Sequence, residues 1–274
     1  MANSTQFSLN GKVAIVTGGA GLLGEEHCHA LAEAGANLVV VDLNIDKAKA
    51  VAAQMSELYE IDALALKVDV TSKPSILDGK KKILDWFGRI DILVNNAALN
   101  EQFENPAFTA EQSKFENFPL EIWNQSLQSN VTSVFLCSQV WGSVMADQGS
   151  GSIINIASTY GVVGPNQDIY KTESGAQPFY KSPAYPTTKG AVVNFTRFLA
   201  AYWGDRGVRV NTLTPGGVEN QQADHFIENY ARLTPLGRMS QKSEYRGAIV
   251  FLASDASSYM TGSNLIVDGG WTAW

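Results

Sequence analysis

Short apolar runs alternate with amphipathic stretches from one end of the chain to the other, and this alternation limits the fold more than any other feature. The apolar runs are 12–17 (KVAIVT), 37–42 (NLVVVD), 63–68, 91–94, 152–157 (SIINIA), 208–213 and 264–267. Each has strand length and, in most, continuous rather than alternating hydrophobicity. Such strands are buried on both faces, which predicts a parallel sheet with helices on either side. The stretches 22–34, 46–58, 73–87, 121–145, 186–203 and 243–253 carry helical periodicity. Gly35 is a natural stop for the first of them. The expectation is an α/β chain: a Rossmann-type, doubly wound parallel sheet of about seven strands with helices on both faces. No change of composition divides the 274 residues, so one domain over 1–274 is expected. Three segments exceed what such a frame needs: 100–119, 164–183 and 216–236. All follow strands and should emerge at the carboxyl edge of the sheet, where open α/β sheets bind ligands. Loops of this length are usually functional.

The first strand runs into Thr17-Gly18-Gly19-Ala20-Gly21-Leu22-Leu23-Gly24 and then a helix. Glycines at three-residue spacing let a backbone approach a pyrophosphate, and the helix amino end supplies N–H donors and a positive dipole. A strand–helix joint alone could use the same residues, but this one follows the first strand. Asp42 closes the second strand, 18 residues beyond Gly24. A carboxylate there can accept both ribose hydroxyls of an adenosine and would repel a 2′-phosphate. Its neighbours Leu43 and Asn44 offer no arginine. These residues predict NAD rather than NADP.

Tyr185-Pro186-Thr187-Thr188-Lys189 opens a predicted helix, with Pro186 in the first turn where its missing N–H is harmless. Residues four apart share a helix face. Lys189 would therefore stand near the phenol of Tyr185 and favour its ionised form. Such a phenol can take a hydroxyl proton while hydride leaves carbon.

Taken in order, the motifs resemble those of the short-chain dehydrogenase/reductases over roughly residues 9–270. They are the glycine turn, Val68-Asp69-Val70-Thr71, Asn95-Asn96-Ala97-Ala98, Asn130, Ser158, Tyr185 with Lys189, Pro215-Gly216, Phe251-Leu252-Ala253-Ser254-Asp255 and Val267-Asp268-Gly269-Gly270. The resemblance implies a role for each matching position. Tyr185 would be the acid–base, and Ser158 would hydrogen-bond the substrate oxygen. Lys189 would hold the nicotinamide ribose and tune Tyr185, and Asn130 would hold a water that links Lys189 to solvent. Gly18, Gly21, Leu22, Leu23 and Gly24 would form the pyrophosphate turn, and Asp42 and Leu43 would meet the adenosine ribose. Asp69 and Val70 would flank the adenine, with Asn95 and Ala97 at its ribose. Pro215, Gly216 and Val218 would cover the nicotinamide. The pattern departs from the family twice. Leu22 stands where the short form usually has glycine, and Ser158 and Tyr185 are 27 residues apart, roughly double the usual family separation.

Composition narrows the partners. The formal net charge is −7 and no basic run exceeds the three lysines Lys80, Lys81 and Lys82, which argues against nucleic acid or an anionic membrane. No apolar stretch reaches the ~18–20 residues of a membrane helix. Two cysteines, Cys28 and Cys137, read as buried helix thiols of a cytoplasmic protein. His27 and His29 flank Cys28, but residues two apart on a helix do not converge, so no metal is expected. Glu25 and Glu26 are explained by the dipole at the first helix's amino end. The favoured function is a dehydrogenase or reductase of a small hydroxylated molecule, a sugar, polyol or sugar acid, given the amides and hydroxyls of the candidate loops. The alternatives are a reductase of a carrier-bound 3-oxoacyl chain and a catalytically silent NAD-binding regulator. The long helices resemble those the family pairs in its oligomers, and Trp271 and Trp274 crowd the terminus. A homotetramer is expected, with a dimer as second choice.

Overall fold

The computed structural model describes residues 5–100 and 110–274. Seven parallel strands form one sheet in the order β3-β2-β1-β4-β5-β6-β7. They are β1 Val13–Thr17, β2 Asn37–Asp42, β3 Ala63–Lys67, β4 Ile92–Asn95, β5 Gly151–Ile156, β6 Val208–Pro215 and β7 Asn264–Val267. Side chains alternate between the two faces of a strand, so this sheet feeds two cores. Ala14 and Val16 of β1 join Leu38, Val40, Val94, Ile154 and Leu213 under Cys28 and Leu31, Met55, and Ile249 and Leu252. Val13 and Ile15 join Val39, Val41, Leu93 and Ile153 under Ile76 and Ile83, Trp141, Leu199 and Trp203. Strand order reverses between β1 and β4, and the crevice outside their carboxyl ends is where ligands enter such sheets.

Local chemistry sets the helix ends. The first helix, Leu22–Glu33, stops before Gly35 at φ +97°. In the second, Ile45–Tyr59, the Asn44 side chain accepts from the Lys47 N–H at 3.1 Å. The third, Lys73–Phe87, begins with a proline in its first turn and ends at Gly88. The expected helix over 121–145 runs over 120–148 with two π-helical turns, Gln128–Thr132 and Ser138–Gly142. The helix Ala184–Trp203 packs beside it so closely that a Cβ on Gly142 would lie 2.7 Å from the Trp203 ring. The expected helix over 243–253 starts as a 3-10 turn, Lys242–Tyr245, and continues as Arg246–Ala253.

Three expectations need correction. Segment 216–236 is not all loop, because Asp224–Arg232 is helical. Phe226, Ile227 and Tyr230 supply its apolar stripe, with Asp224 in the first turn and Arg232 in the last, as the dipole favours. Trp271 needs no partner chain: it is buried and stacks on Tyr230, centroids 4.1 Å apart, while Trp274 is exposed. Glu26 is more than a dipole residue. Its buried carboxylate pairs with Arg246 at 2.6 Å and Lys242 at 3.0 Å, tying the first helix to the start of Arg246–Ala253. Burial alone would raise its pKa, but hydrogen bonds from Lys242 and Arg246 hold it below the usual carboxylate range. His27 is wholly inside the core, where burial pulls it down to about 3. Of segment 100–119, residues 101–109, with Gln102, Phe103 and Phe108, lie outside the described residues. Its remainder holds the short helix Ala110–Ser113 and the turn Phe115–Asn117.

Candidate functional site

A cleft of about 900 Å³ opens along the carboxyl ends of the strands. Its floor begins at the glycine turn. Gly18 has φ +60°, a left-handed conformation that suits glycine. A Cβ on Gly24 would lie 2.0 Å from the Gly18 carbonyl, so only glycine lets the helix start this close to the turn. The Gly21 N–H is spent on the Gly18 carbonyl at 3.0 Å. The first-turn N–H groups that follow have no earlier helical carbonyl to bond, and Gly21, Leu22 and Leu23 line the cleft. This is the cradle a pyrophosphate requires.

The turn is fixed from β4. Thr17 Oγ1 accepts from the Asn96 and Ala97 N–H groups at 2.9 and 3.0 Å, and the Asn96 side-chain amide donates to the Thr17 carbonyl at 2.9 Å. Beside it stands Asp42, whose carboxylate accepts from the Ala20 N–H at 3.2 Å and the Asn44 N–H at 2.9 Å. Those bonds orient the carboxylate and leave it lone pairs for a ribose. Asp42, Leu43, Asp69, Val70 and Ala97 all line the cleft. The residues present therefore fit a nicotinamide adenine dinucleotide.

At the other end, Ser182 Oγ accepts from the Ala184 and Tyr185 N–H groups at 3.0 and 3.4 Å and so caps the helix that carries Tyr185. Lys189 follows one turn later. Its Nζ lies 5.7 Å from the Tyr185 ring centre and donates to the Ile156 carbonyl at 2.8 Å. Burial pulls the Lys189 ammonium down to about 8. Ser158 leaves β5 and begins the turn Thr159–Gly161, its Oγ accepting from the Tyr160 N–H at 3.2 Å. Gly161 presses that turn against the Lys189 backbone: a Cβ there would come within 2.8 Å. Ser158, Tyr185 and Lys189 all line the cleft, as do Pro215, Gly216 and Val218.

Three expected site residues do not line the cleft. Gly24 acts through the close approach just described. Asn95 is buried, its amide donating to Asn155 Oδ1 at 2.8 Å and Ser138 Oγ at 3.2 Å, and Asn96 and Ala97 line the cleft instead. Asn130 is buried in the first π-helical turn. Its side chain accepts from the Leu99 N–H at 2.7 Å and donates to the Leu99 carbonyl at 3.0 Å and to Thr188 Oγ1 at 3.2 Å. It braces the cleft-lining Leu99 against the Tyr185 helix.

Segment 164–183, expected to reach the ligand edge of the sheet, does line the cleft. Tyr170, Pro178, Phe179 and Lys181 line the cleft. Asp168 does not, and pairs with Lys171 at 2.6 Å on the surface. The segment is held by its own small core, in which Ile169 and Tyr170 pack with Tyr230, Met239 and Trp271. Gln167 clamps Lys181, accepting from its N–H at 2.8 Å and donating to its carbonyl at 3.3 Å. Lys181 lies four residues before Tyr185, as Lys189 lies four after. That symmetry was available in the sequence, but residues 181 and 185 do not share a helix.

Comparison with known proteins agrees with this geometry. A family model described as enoyl-(acyl carrier protein) reductase matches residues 19–272. The chain is 35% identical to the D-threitol dehydrogenase of Mycolicibacterium smegmatis, over 97% of this chain and 95% of that protein. It is 32% identical to the NAD-dependent glycerol dehydrogenase of Listeria innocua, over 97% and 96%. A gluconate 5-dehydrogenase from Burkholderia cenocepacia, solved with NADP and tartrate, superposes with a TM-score of 0.86 at 30% identity and 98% coverage of both chains. The matched length, the order of the motifs and the seven-stranded sheet lead to one conclusion: this chain belongs to the short-chain dehydrogenase/reductase family.

Proposed function

We propose that the chain is an NAD(H)-dependent oxidoreductase that interconverts a secondary alcohol and a ketone on a small polar substrate, a sugar, polyol or sugar acid. One observation carries the reading: Ser158, Tyr185 and Lys189 line the same cleft as the glycine turn and Asp42. When bound, the nicotinamide supplies the hydride acceptor or donor. Tyr185 takes the alcohol proton in oxidation and returns it in reduction. Ser158 hydrogen-bonds the reacting oxygen, and Lys189 favours the ionised phenol. Asn130, through Leu99 and Thr188, holds the region between the Tyr185 helix and the long helix in register. The relatives that act on threitol and glycerol support a polyol, as do Asn220 and Gln222 on the cleft wall. A carrier-bound acyl chain fits less well. Segment 216–236 has one basic residue that could dock an acidic carrier, Arg232, and it lies 3.7 Å from Glu228.

The test is a panel of polyols, sugars and sugar acids followed by NADH absorbance, repeated with Tyr185→Phe. We expect at least a ~10²-fold loss of kcat in the variant with NADH binding little changed. Near-normal turnover by Tyr185→Phe would refute the assignment.

A further inference from the structure

Tyr185 has two lysines against it. Lys189 is the one the motif contains. The other, Lys181, belongs to the long excursion between Ser158 and the Tyr185 helix, and its Nζ lies 4.3 Å from the Tyr185 ring centre, nearer than the 5.7 Å of Lys189. Lys181 is buried, only 6% exposed, yet reaches the cleft wall. Its placement is built rather than incidental. Gln167 holds its backbone at both N–H and carbonyl, and Asn100 Oδ1 accepts from its ammonium at 2.7 Å. Ser182, the next residue, caps the helix on which Tyr185 sits. The excursion therefore fixes the ammonium and the phenol against one another from two sides.

We propose that Lys181 is a second cation that stabilises the Tyr185 phenolate and is thereby a positioning residue for proton transfer. The inference rests on the reading of Tyr185 as the base. An ammonium this close to a phenol favours its charged form, by electrostatics and by its place over the ring face. The other titratable groups around the phenol, among the described residues, do not replace it. Tyr160 and Tyr170, from the turn after β5 and from the excursion, line the same cleft with their hydroxyls 3.1 Å apart, and burial raises the pKa of both. His225 stands across the cleft on Asp224–Arg232, and the cleft carboxylates Asp42 and Asp69 stand at the ends of β2 and β3, on the far half of the sheet. Lys189 itself is pulled down to about 8, so its support lapses as the solution becomes alkaline.

The test is a pH titration of the protein labelled with [13Cζ]tyrosine, at saturating NAD+, with the Tyr185 resonance assigned by its absence in Tyr185→Phe. Lys181→Met should move the Tyr185 midpoint up by roughly one pH unit, and Lys181→Arg should leave it near the wild-type value. Lys181→Gln serves where the methionine variant folds poorly, judged by circular dichroism and NADH fluorescence. A merely structural role would lower thermal stability without moving the midpoint, and an unmoved midpoint in a folded Lys181→Met or Lys181→Gln overturns the inference. A wild-type midpoint no lower than that of ordinary tyrosine, about 10, would remove instead the reading of Tyr185 as the base.

Discussion

Replacing Asp42 by alanine tests the cofactor preference directly. The carboxylate stands at the end of β2, held by the Ala20 and Asn44 N–H groups, and lines the cleft beside the glycine turn. In that position it would accept from the adenosine ribose. A hydrogen bond to a charged group contributes about 1.5–3 kcal/mol. Its loss corresponds to roughly a 10- to 150-fold fall in kcat/KM with NAD. On the NADP side the sign reverses. A 2′-phosphate beside the native carboxylate meets like charge, and removing about 1.4 kcal/mol of repulsion returns roughly tenfold. The ratio of kcat/KM for NAD over NADP should therefore narrow by about two orders of magnitude or more. The assay is initial-rate kinetics with both cofactors at one substrate concentration. Asp42→Asn removes the charge while its single amide oxygen still accepts one of the two backbone bonds, which go to different carboxylate oxygens. Comparable efficiency of the wild-type protein with NADP, or an unchanged ratio in Asp42→Ala, would sink the reasoning.

Phe179 lines the cleft with its ring 5.0 Å from that of Tyr170, so Phe179→Ala should alter kcat/KM unequally across a polyol and sugar panel while NADH binding holds. A uniform change would count against a substrate wall. The exposed aromatics Phe135, Phe198 and Tyr202 form a stripe on the long helix and the Tyr185 helix, and we expect light scattering at micromolar concentration to give a homotetramer, or failing that a dimer. A monomer rules this out. Glu26→Gln should lower stability at pH 7 by about 1–2 kcal/mol, less than for a fully buried pair because Arg246 and Lys242 reach solvent. Because the folded Glu26 pKa lies below its unfolded value, that stabilisation is present above the usual glutamate range and is lost as pH falls through the folded value. Thermal melts of the two proteins should therefore converge as pH drops below about 4, and parallel curves would contradict the pairing.

The sheet was legible because its strands are continuous apolar runs bounded by glycines and helix caps. β2 and β7 fall at the expected residues, and the rest within two. The glycine turn and Tyr185 with Lys189 were legible because their chemistry lies in local spacing. What was missed depends on contacts between distant segments. Asn95 shares a strand face with Leu93, so strand alternation turns it inward and leaves Asn96 and Ala97 to the cleft. The helix Asp224–Arg232 is short and polar on one side, and its apolar stripe has meaning only once Tyr170 and Trp271 are there to cover it. Trp271 looked like an interface residue for the same reason. Lys181 sits outside the helix whose periodicity pointed to Lys189.

Two of those misses, the helix Asp224–Arg232 and Trp271, belong to one cluster. The Tyr230 hydroxyl accepts from the Gly217 N–H at 2.6 Å, holding the cleft-lining segment after β6. The neighbouring Asn229 amide donates to the carbonyls of Ile169 and Lys171 at 3.3 and 3.2 Å, holding the excursion. Phe226 lies 5.4 Å from Tyr170, and Trp271 closes the cluster from the carboxyl terminus. A segment with this much Pro, Gly and Asn has little order of its own; buried aromatics and paired carbonyls give it order from outside. The same nine residues, Asp224–Arg232, therefore grip both Gly217 and the excursion that carries Tyr170 and Lys181. The long stretch between Ser158 and Tyr185 is thus held by its contacts with Asp224–Arg232 and Trp271.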